Sequence, residues 1–321
     1  MSDTANVSKT KAWVMAARPQ TLPAGASPVV VGTGLAVHDG VFAALPALAA
    51  LVGALLLQIG TNFANDYYDA VRGADTEDRE GFTRVTAGGI IDPRRVKQAM
   101  YATFGLAVLL GTYLVYVGGP VIVVVGLSSV AAGIAYTGGP APYGYRGLGD
   151  LFVFVFFGLV AVTGTYYVQA AAAVSGLPAV DALLALVPLD AVVAALPAAG
   201  LSTAILVVNN IRDIETDRAA GKRTLAVILG YGPSRVEFLL LVGMAYVVPL
   251  VFALADGYTT YALLPLLTLP LAVRVTRTVL TERDGSALNP ALERTGQLLF
   301  AHSVLFAVGL AIDYGHPLLP A

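Results

Sequence analysis

Two stretches of this 321-residue sequence concentrate residues that could do chemistry. The first runs Gln58-Ile59-Gly60-Thr61-Asn62-Phe63-Ala64-Asn65-Asp66-Tyr67-Tyr68-Asp69, with Arg72, Gly73 and Asp75 just beyond. On a helix Gln58, Asn62, Asp66 and Asp69 share one face, because they recur three or four residues apart. Asn65 neighbours that face, and Asp75 lies past the expected helix end at Gly73. The second stretch runs Asn209-Asn210-Ile211-Arg212-Asp213-Ile214-Glu215-Thr216-Asp217, followed by Arg218, Lys222 and Arg223. Asn209, Asp213 and Asp217 again share a face at successive four-residue steps. Each stretch thus sets two carboxylates one turn apart, after an amide.

Such clusters are costly in apolar surroundings. A lone Asp near a bilayer centre costs ~2.5–3.5 kcal/mol on insertion scales, and several together repel one another. Divalent cations relieve both problems. Oxygen-only ligands favour Mg²⁺ or Ca²⁺ over zinc, and Mg²⁺ completes its shell with water and substrate phosphate. Two facing Asp pairs could therefore hold a diphosphate between Mg²⁺ ions, with Arg79, Arg84, Lys222 and Arg223 neutralising its remaining charge. The plain alternative is that these residues cap helices at a membrane surface, or that Asp213 forms a surface ion pair with Arg212 or Arg218. That fits a single Asp better than two matched clusters. It does fit Glu215, which points off the shared face.

The elements that must carry these clusters are membrane helices. The chain is 57% hydrophobic and 12% charged, with mean hydropathy +0.75, whereas a soluble domain carries roughly a quarter charged residues. This composition excludes a disordered protein, a nucleic-acid binder and a small disulfide scaffold. The absence of cysteine excludes thiol catalysis and iron–sulfur chemistry, and three His make a His-rich zinc site untenable. With ~20 apolar residues needed per crossing, nine spans are expected, near 21–38, 42–64, 97–117, 120–137, 151–175, 190–210, 236–255, 259–277 and 297–314. The sixth is the least regular, because Asp181, Pro188 and Asp190 interrupt its approach. The N-terminus lacks the marks of a signal peptide, so the first span is expected to remain.

Nine spans with a cytoplasmic N-terminus put all nineteen Lys and Arg on the cytoplasmic side, as the positive-inside rule requires. The expected fold is therefore all-α: nine transmembrane helices, forming one domain over 1–321. The active site would face the cytoplasm, in the cell membrane. Asp150 is expected to cap the helix that follows it, and His302 to be a packed polar residue.

NDYYDAVRGAD (65–75) and NNIRDIETDRAAGKRT (209–224) resemble the paired Asp-rich motifs of the UbiA superfamily of intramembrane prenyltransferases. The likeness is strongest to the branch acting on 1,4-dihydroxy-2-naphthoate. It extends through AARPQTLPAG (16–25), AYTGGPAPYGYRGLGDLFVFVFFG (135–158), GTYYVQ (164–169) and NPALERT (289–295), over about residues 12–310. The resemblance implies that Asp66, Asp69, Asp213 and Asp217, with Asp75, hold Mg²⁺, and that Asn62, Asn65, Asn209 and Asn210 support the diphosphate. It implies a nine-helix bundle around a central cavity, a polyprenyl diphosphate donor and an aromatic acceptor whose carboxylate leaves as carbon dioxide.

Prenyl transfer also needs a shielded cation. Tyr136, at the end of the fourth span, is the candidate aromatic face, or else an interfacial-belt tyrosine. Arg146 could bind the acceptor's carboxylate or the diphosphate, or be a topology charge among glycine turns. Other acceptors stay open: 4-hydroxybenzoate, homogentisate or a glycerol-phosphate lipid. An Mg²⁺-coupled transporter is the remote alternative, but it should place acid near the midplane, and here the acid lies at helix ends.

Overall fold

The computed structural model describes residues 8–73, 84–174 and 185–312, and among them helices are the sole regular structure. Asp75, Arg79 and Asp181 lie outside the described residues. A short α1 (Lys9–Ala17) precedes α2 (Leu22–His38), α3 (Ala44–Val71), α4 (Pro93–Gly118) and α5 (Pro120–Ala135). Then come α6 (Gly149–Ala172), α7 (Leu189–Arg212), the short α8 (Ile214–Ala219) and α9 (Leu225–Leu229), α10 (Tyr231–Leu254), α11 (Thr260–Thr281) and α12 (Gly285–Ile312).

Each of the nine expected intervals holds a helix, but not all have the length to span. Among the described residues α3, α4, α6, α7, α10, α11 and α12 are the seven long and apolar enough to cross a membrane. The apolar α5 has 16 residues and α2 has 17, short of the ~20 a crossing takes. Length and composition support seven crossings where nine were expected.

The interval judged least regular is in fact the heart of the bundle. Pro188 and Asp190 do not interrupt α7; they start it, with Pro188 at the N-cap and Asp190 in the first turn, where a carboxylate suits the helix dipole. Ala191, Ala194, Ala195, Ala198, Leu201 and Ala204 are fully buried. In lipid, helices associate by close packing, so small residues mark the contacts. Gly158, in a wide π turn of α6 (Val155–Val160), is the tightest such contact, since a Cβ there would stand 2.1 Å from that of Ala199. Gly158→Ala is expected to destabilise the protein by about 1–3 kcal/mol through overpacking. A lower thermal midpoint in detergent checks this, and an unchanged midpoint would show that α6 has room to shift. On the outside, Leu109, Val124, Leu240, Leu254 and Leu267 are well exposed, the surface of a protein whose solvent is lipid.

Candidate functional site

The first cluster sits at the C-terminal end of α3. Its 28 residues rise roughly 42 Å at ~1.5 Å each, more than the ~30 Å of hydrocarbon a crossing needs. The last two turns carry Asn65, Asp66 and Asp69. Gln58, Asn62, Asp66 and Asp69 are all buried, none more than 7% exposed, so their shared face turns into the bundle.

That face meets different neighbours along its length. Gln58 and Asn62 both donate to the Thr21 hydroxyl, at 3.0 and 2.8 Å, and Asn62 also donates to the Ala17 carbonyl at 2.9 Å. They tie down the link between α1 and α2. One turn on, Asp66 accepts from the Thr86 amide at 3.1 Å and from the Thr86 hydroxyl, with Arg18 4.0 Å away. Arg18 is the one non-glycine at positive φ among the described residues, at 52°. Only Asn65 and Asp69 open onto a cleft. Asp69 accepts from Arg84 at 3.0 Å and from the Tyr145 hydroxyl, while Asn65 accepts from Thr137 at 3.0 Å.

The second cluster spans a helix break. α7 ends at Arg212 and α8 starts at Ile214, yet the Asp213 amide still donates to Asn209 (3.1 Å) and that of Asp217 to Asp213 (2.8 Å). The shared face survives because the hydrogen-bond ladder runs through. Asp213 is not in a surface ion pair. It is 3% exposed and gripped bidentately by Arg212, 6% exposed, through two bonds of 2.7 Å. Arg212 also donates to Asn209 (2.8 Å) and Asn289 (2.7 Å). Glu215 does pair with Arg218 at the surface, at 2.6 Å.

Both clusters meet in one polar cleft of 60 Å³. Asn65, Asp69 and Arg84 line it from one side, and Asn209, Asn210, Asp213, Asp217 and Lys222 from the other, with Tyr136, Thr137, Tyr145 and Thr224 between. Tyr136 brings an aromatic ring to the α5 end of the cleft. Its edge meets Tyr143 at 5.4 Å between centroids. Asn62, Asp66, Arg146 and Arg223 do not line the cleft. Arg146 and Arg223 are exposed, and the Arg223 amide donates to the Tyr145 carbonyl at 3.0 Å. A second cavity, 380 Å³ between α2, α3 and α12, is lined by Val29, Leu48, Val304 and similar residues and carries no charged group.

Tyr145, like Thr137 and Thr224, is a cleft residue that sequence reasoning passed over. Its hydroxyl donates to Asp69, and its ring lies 4.9 Å from the Lys222 ammonium and 5.8 Å from the Arg72 guanidinium. It thereby bridges the two clusters. The signal was its place in the YGYRGLGD turn, where Arg146 drew attention as the basic residue. Asp150 does not cap α6, since Leu148 holds the N-cap. His302 is fully buried, 2.9 Å from the Ala245 carbonyl.

Among the described residues no three acidic or His side chains gather as a ready metal cage. Each cleft carboxylate instead has its own cation: Asp69 has Arg84, Asp213 has Arg212, and Asp217 has Lys222 at 3.5 Å.

The sequence pattern of the UbiA prenyltransferase family matches residues 26–304. A 1,4-dihydroxy-2-naphthoate octaprenyltransferase of Escherichia coli (strain K12) is 40% identical, over 96% of this chain and 97% of its own. Among solved structures, a UbiA homolog from Aeropyrum pernix K1 superposes with TM-score 0.67 at 17% identity, over 90% of this chain and 97% of that one. A UbiA homolog from Archaeoglobus fulgidus, bound to DMAPP and Mg²⁺, does so with TM-score 0.55 at 15% identity, over 92% and 99%.

Proposed function

The chain belongs to the UbiA prenyltransferase family, and we propose that it moves a polyprenyl group from its diphosphate onto 1,4-dihydroxy-2-naphthoate, releasing diphosphate and carbon dioxide. The observation that carries the chemistry is the shared polar cleft onto which both Asp clusters open. The acceptor rests on the near-full-length likeness to the octaprenyltransferase.

The donor set supports Mg²⁺. The carboxylates and amides on the cleft offer oxygen donors throughout, and one or two carboxylates per ion suffice when diphosphate and water complete the shell. Asp69, Asp213 and Asp217 are the proposed ligands, with Asp66 a turn behind and Asp75 beyond the helix end. When bound, Mg²⁺ would stabilise the charge developing on departing diphosphate.

The chain's own groups do the rest. Arg84 and Lys222, each already paired with a cleft carboxylate, can turn from carboxylate to diphosphate oxygens as the donor enters, with Arg79 and Arg223 as further diphosphate contacts. Asn65, Asn209 and Asn210 donate amide hydrogen bonds. Asn62 acts at a distance, holding α3 against the α1–α2 link. The ring of Tyr136 faces the allylic cation, a contact worth ~0.5–2 kcal/mol. Arg146 stands outside to meet the acceptor's carboxylate. The cleft is proposed to open on the cytoplasmic side of a nine-crossing cell-membrane protein; the basic residues, all on one side of that topology, support this.

Membranes holding the protein, given labelled polyprenyl diphosphate and a panel of aromatic acceptors, test the proposal. The naphthoate is expected to be alkylated, EDTA to abolish turnover, and added Mg²⁺ to restore it. Turnover that persists in EDTA would overturn the metal's role, and preference for 4-hydroxybenzoate, homogentisate or a glycerol-phosphate lipid would overturn the acceptor.

A further inference from the structure

Asn289 of α12 touches the site without lining it. Arg212 donates to its side-chain oxygen at 2.7 Å, yet Asn289 is not part of the cleft wall. A guanidinium is a planar fork that carries donors only, so each partner must turn an oxygen toward it. Nε and Nη2 grip Asp213, Nη2 also takes the Asn209 oxygen at 2.8 Å, and Nη1 takes that of Asn289. Asn209 thereby has its oxygen tied back. Its amide hydrogens are left for Asp213, at 3.4 Å, and for the cleft that Asn209 lines. Asp213 and Asn209 hold the fork from its own stretch of chain, whereas Asn289 reaches it from a different helix. That helix is firmly placed. Leu288 and Ala291 on either side of Asn289 are fully buried. Asp284 accepts from the Ala287 amide in the first turn of α12, at 3.1 Å. Arg235 of α10 ties down the chain just before it through the Val279 and Glu282 carbonyls, at 2.9 and 2.7 Å.

A diphosphate offers the protein acceptor oxygens, so an amide helps when its N–H groups face the ligand and repels when its oxygen does. The two orientations of Asn209 have nearly the same shape. What selects the useful one is the guanidinium, and what fixes the guanidinium from outside its own stretch of chain is Asn289. The bidentate pair with Asp213 does not suffice for this, because the Asp213 oxygens are the ones the cleft must share with an incoming diphosphate and its cation. We propose that Asn289 is a positioning residue for diphosphate: through Arg212 it keeps the Asn209 amide hydrogens and the Asp213 carboxylate turned to the cleft. The inference rests on the diphosphate reading above and deepens it, since it makes the start of α12 part of the donor site. Without the Asn289 oxygen a buried guanidinium N–H loses its acceptor, which is costly. The fork then shifts to regain a partner, and Asn209 loses the contact that holds its oxygen back. Asn289 touches no substrate and acts only through Arg212.

The test compares purified wild type, Asn289→Leu and Asn289→Asp in two readouts. In turnover, Asn289→Leu, close to Asn in size but without an acceptor, is expected to raise KM for polyprenyl diphosphate about 10-fold, with KM for the aromatic acceptor held within about twofold. Asn289→Asp keeps an oxygen in the same place and should stay within about threefold of wild type. In binding, Mg²⁺ with inorganic diphosphate should raise the thermal midpoint of wild type and of Asn289→Asp, and that of Asn289→Leu by clearly less. A purely structural role would lower kcat through lost active protein and leave the donor KM and the midpoint rise unchanged; that result overturns the proposal. So does an equal loss in Asn289→Asp, or a parallel rise in both KM values. Should Asn289→Leu not fold, Asn289→Ala takes its place under the same criteria. If wild type itself shows no rise with Mg²⁺ and inorganic diphosphate, the diphosphate reading falls and this inference with it. A wild-type rise that Asn289→Leu shares in full overturns the inference alone.

Discussion

Asp69→Asn is expected to cut turnover about 1,000-fold, the scale of losing a group that organises transition-state charge, while the protein stays folded in the membrane. Asn keeps the shape of the side chain and can still accept from Tyr145, so packing changes little. What goes is the negative charge that balances Arg84 at 3.0 Å and, in the proposed reaction, helps to hold Mg²⁺. Raising Mg²⁺ should recover little activity, because the lost ligand is anionic. Glu215→Gln is the matched control. Glu215 sits two residues from Asp213 but pairs with Arg218 at the surface, and exposed pairs contribute about 0–1 kcal/mol, so turnover should hold. Equal losses in the two variants would mean that any nearby acid matters only for net charge. Wild-type turnover in Asp69→Asn would remove the carboxylates from the chemistry.

The contrast between Asp69 and its neighbours shows what sequence could and could not disclose. Helical spacing correctly grouped Gln58, Asn62, Asp66 and Asp69 on one face, because period alone decides that. It could not say what the face touches. From Gln58 to Asp69 the face extends roughly 16 Å, long enough to leave one set of neighbours and reach another. Its first half binds Thr21 and Ala17, its middle Thr86, and only its end the cleft. The helices were legible because apolar runs and Pro/Gly breaks are local signals. Tyr145 was not, because its bond to Asp69 joins residues 76 positions apart and a turn residue has no periodicity to betray it. The role of Arg212 was hidden for a similar reason. Beside Asp213 it offered only the alternative of a surface pair, whereas its burial goes with the docking of α12, which brings Asn289 to the guanidinium.

That burial makes Arg212→Ala the largest stability change expected here. Replacing both members of a buried ion pair can be neutral, but removing one leaves an uncompensated charge and costs about 3–5 kcal/mol. The loss here includes two bonds of 2.7 Å to Asp213 and those to Asn209 and Asn289. Arg212→Lys should fall between, since an ammonium keeps the charge but cannot reproduce the planar fork. The thermal midpoint in detergent, without divalent ions, reads this order directly. Mg²⁺ then separates two roles for Asp213. If Asp213 is a metal ligand, the carboxylate stranded by Arg212→Ala is the one Mg²⁺ can neutralise, and binding to the folded state alone raises stability. Adding Mg²⁺ should therefore raise the midpoint of Arg212→Ala more than that of wild type, where the guanidinium already competes for the same oxygens. An equal rise in both would confine Asp213 to a structural pair with Arg212, and the diphosphate would then have to be held by Asp69 and Asp217 without it.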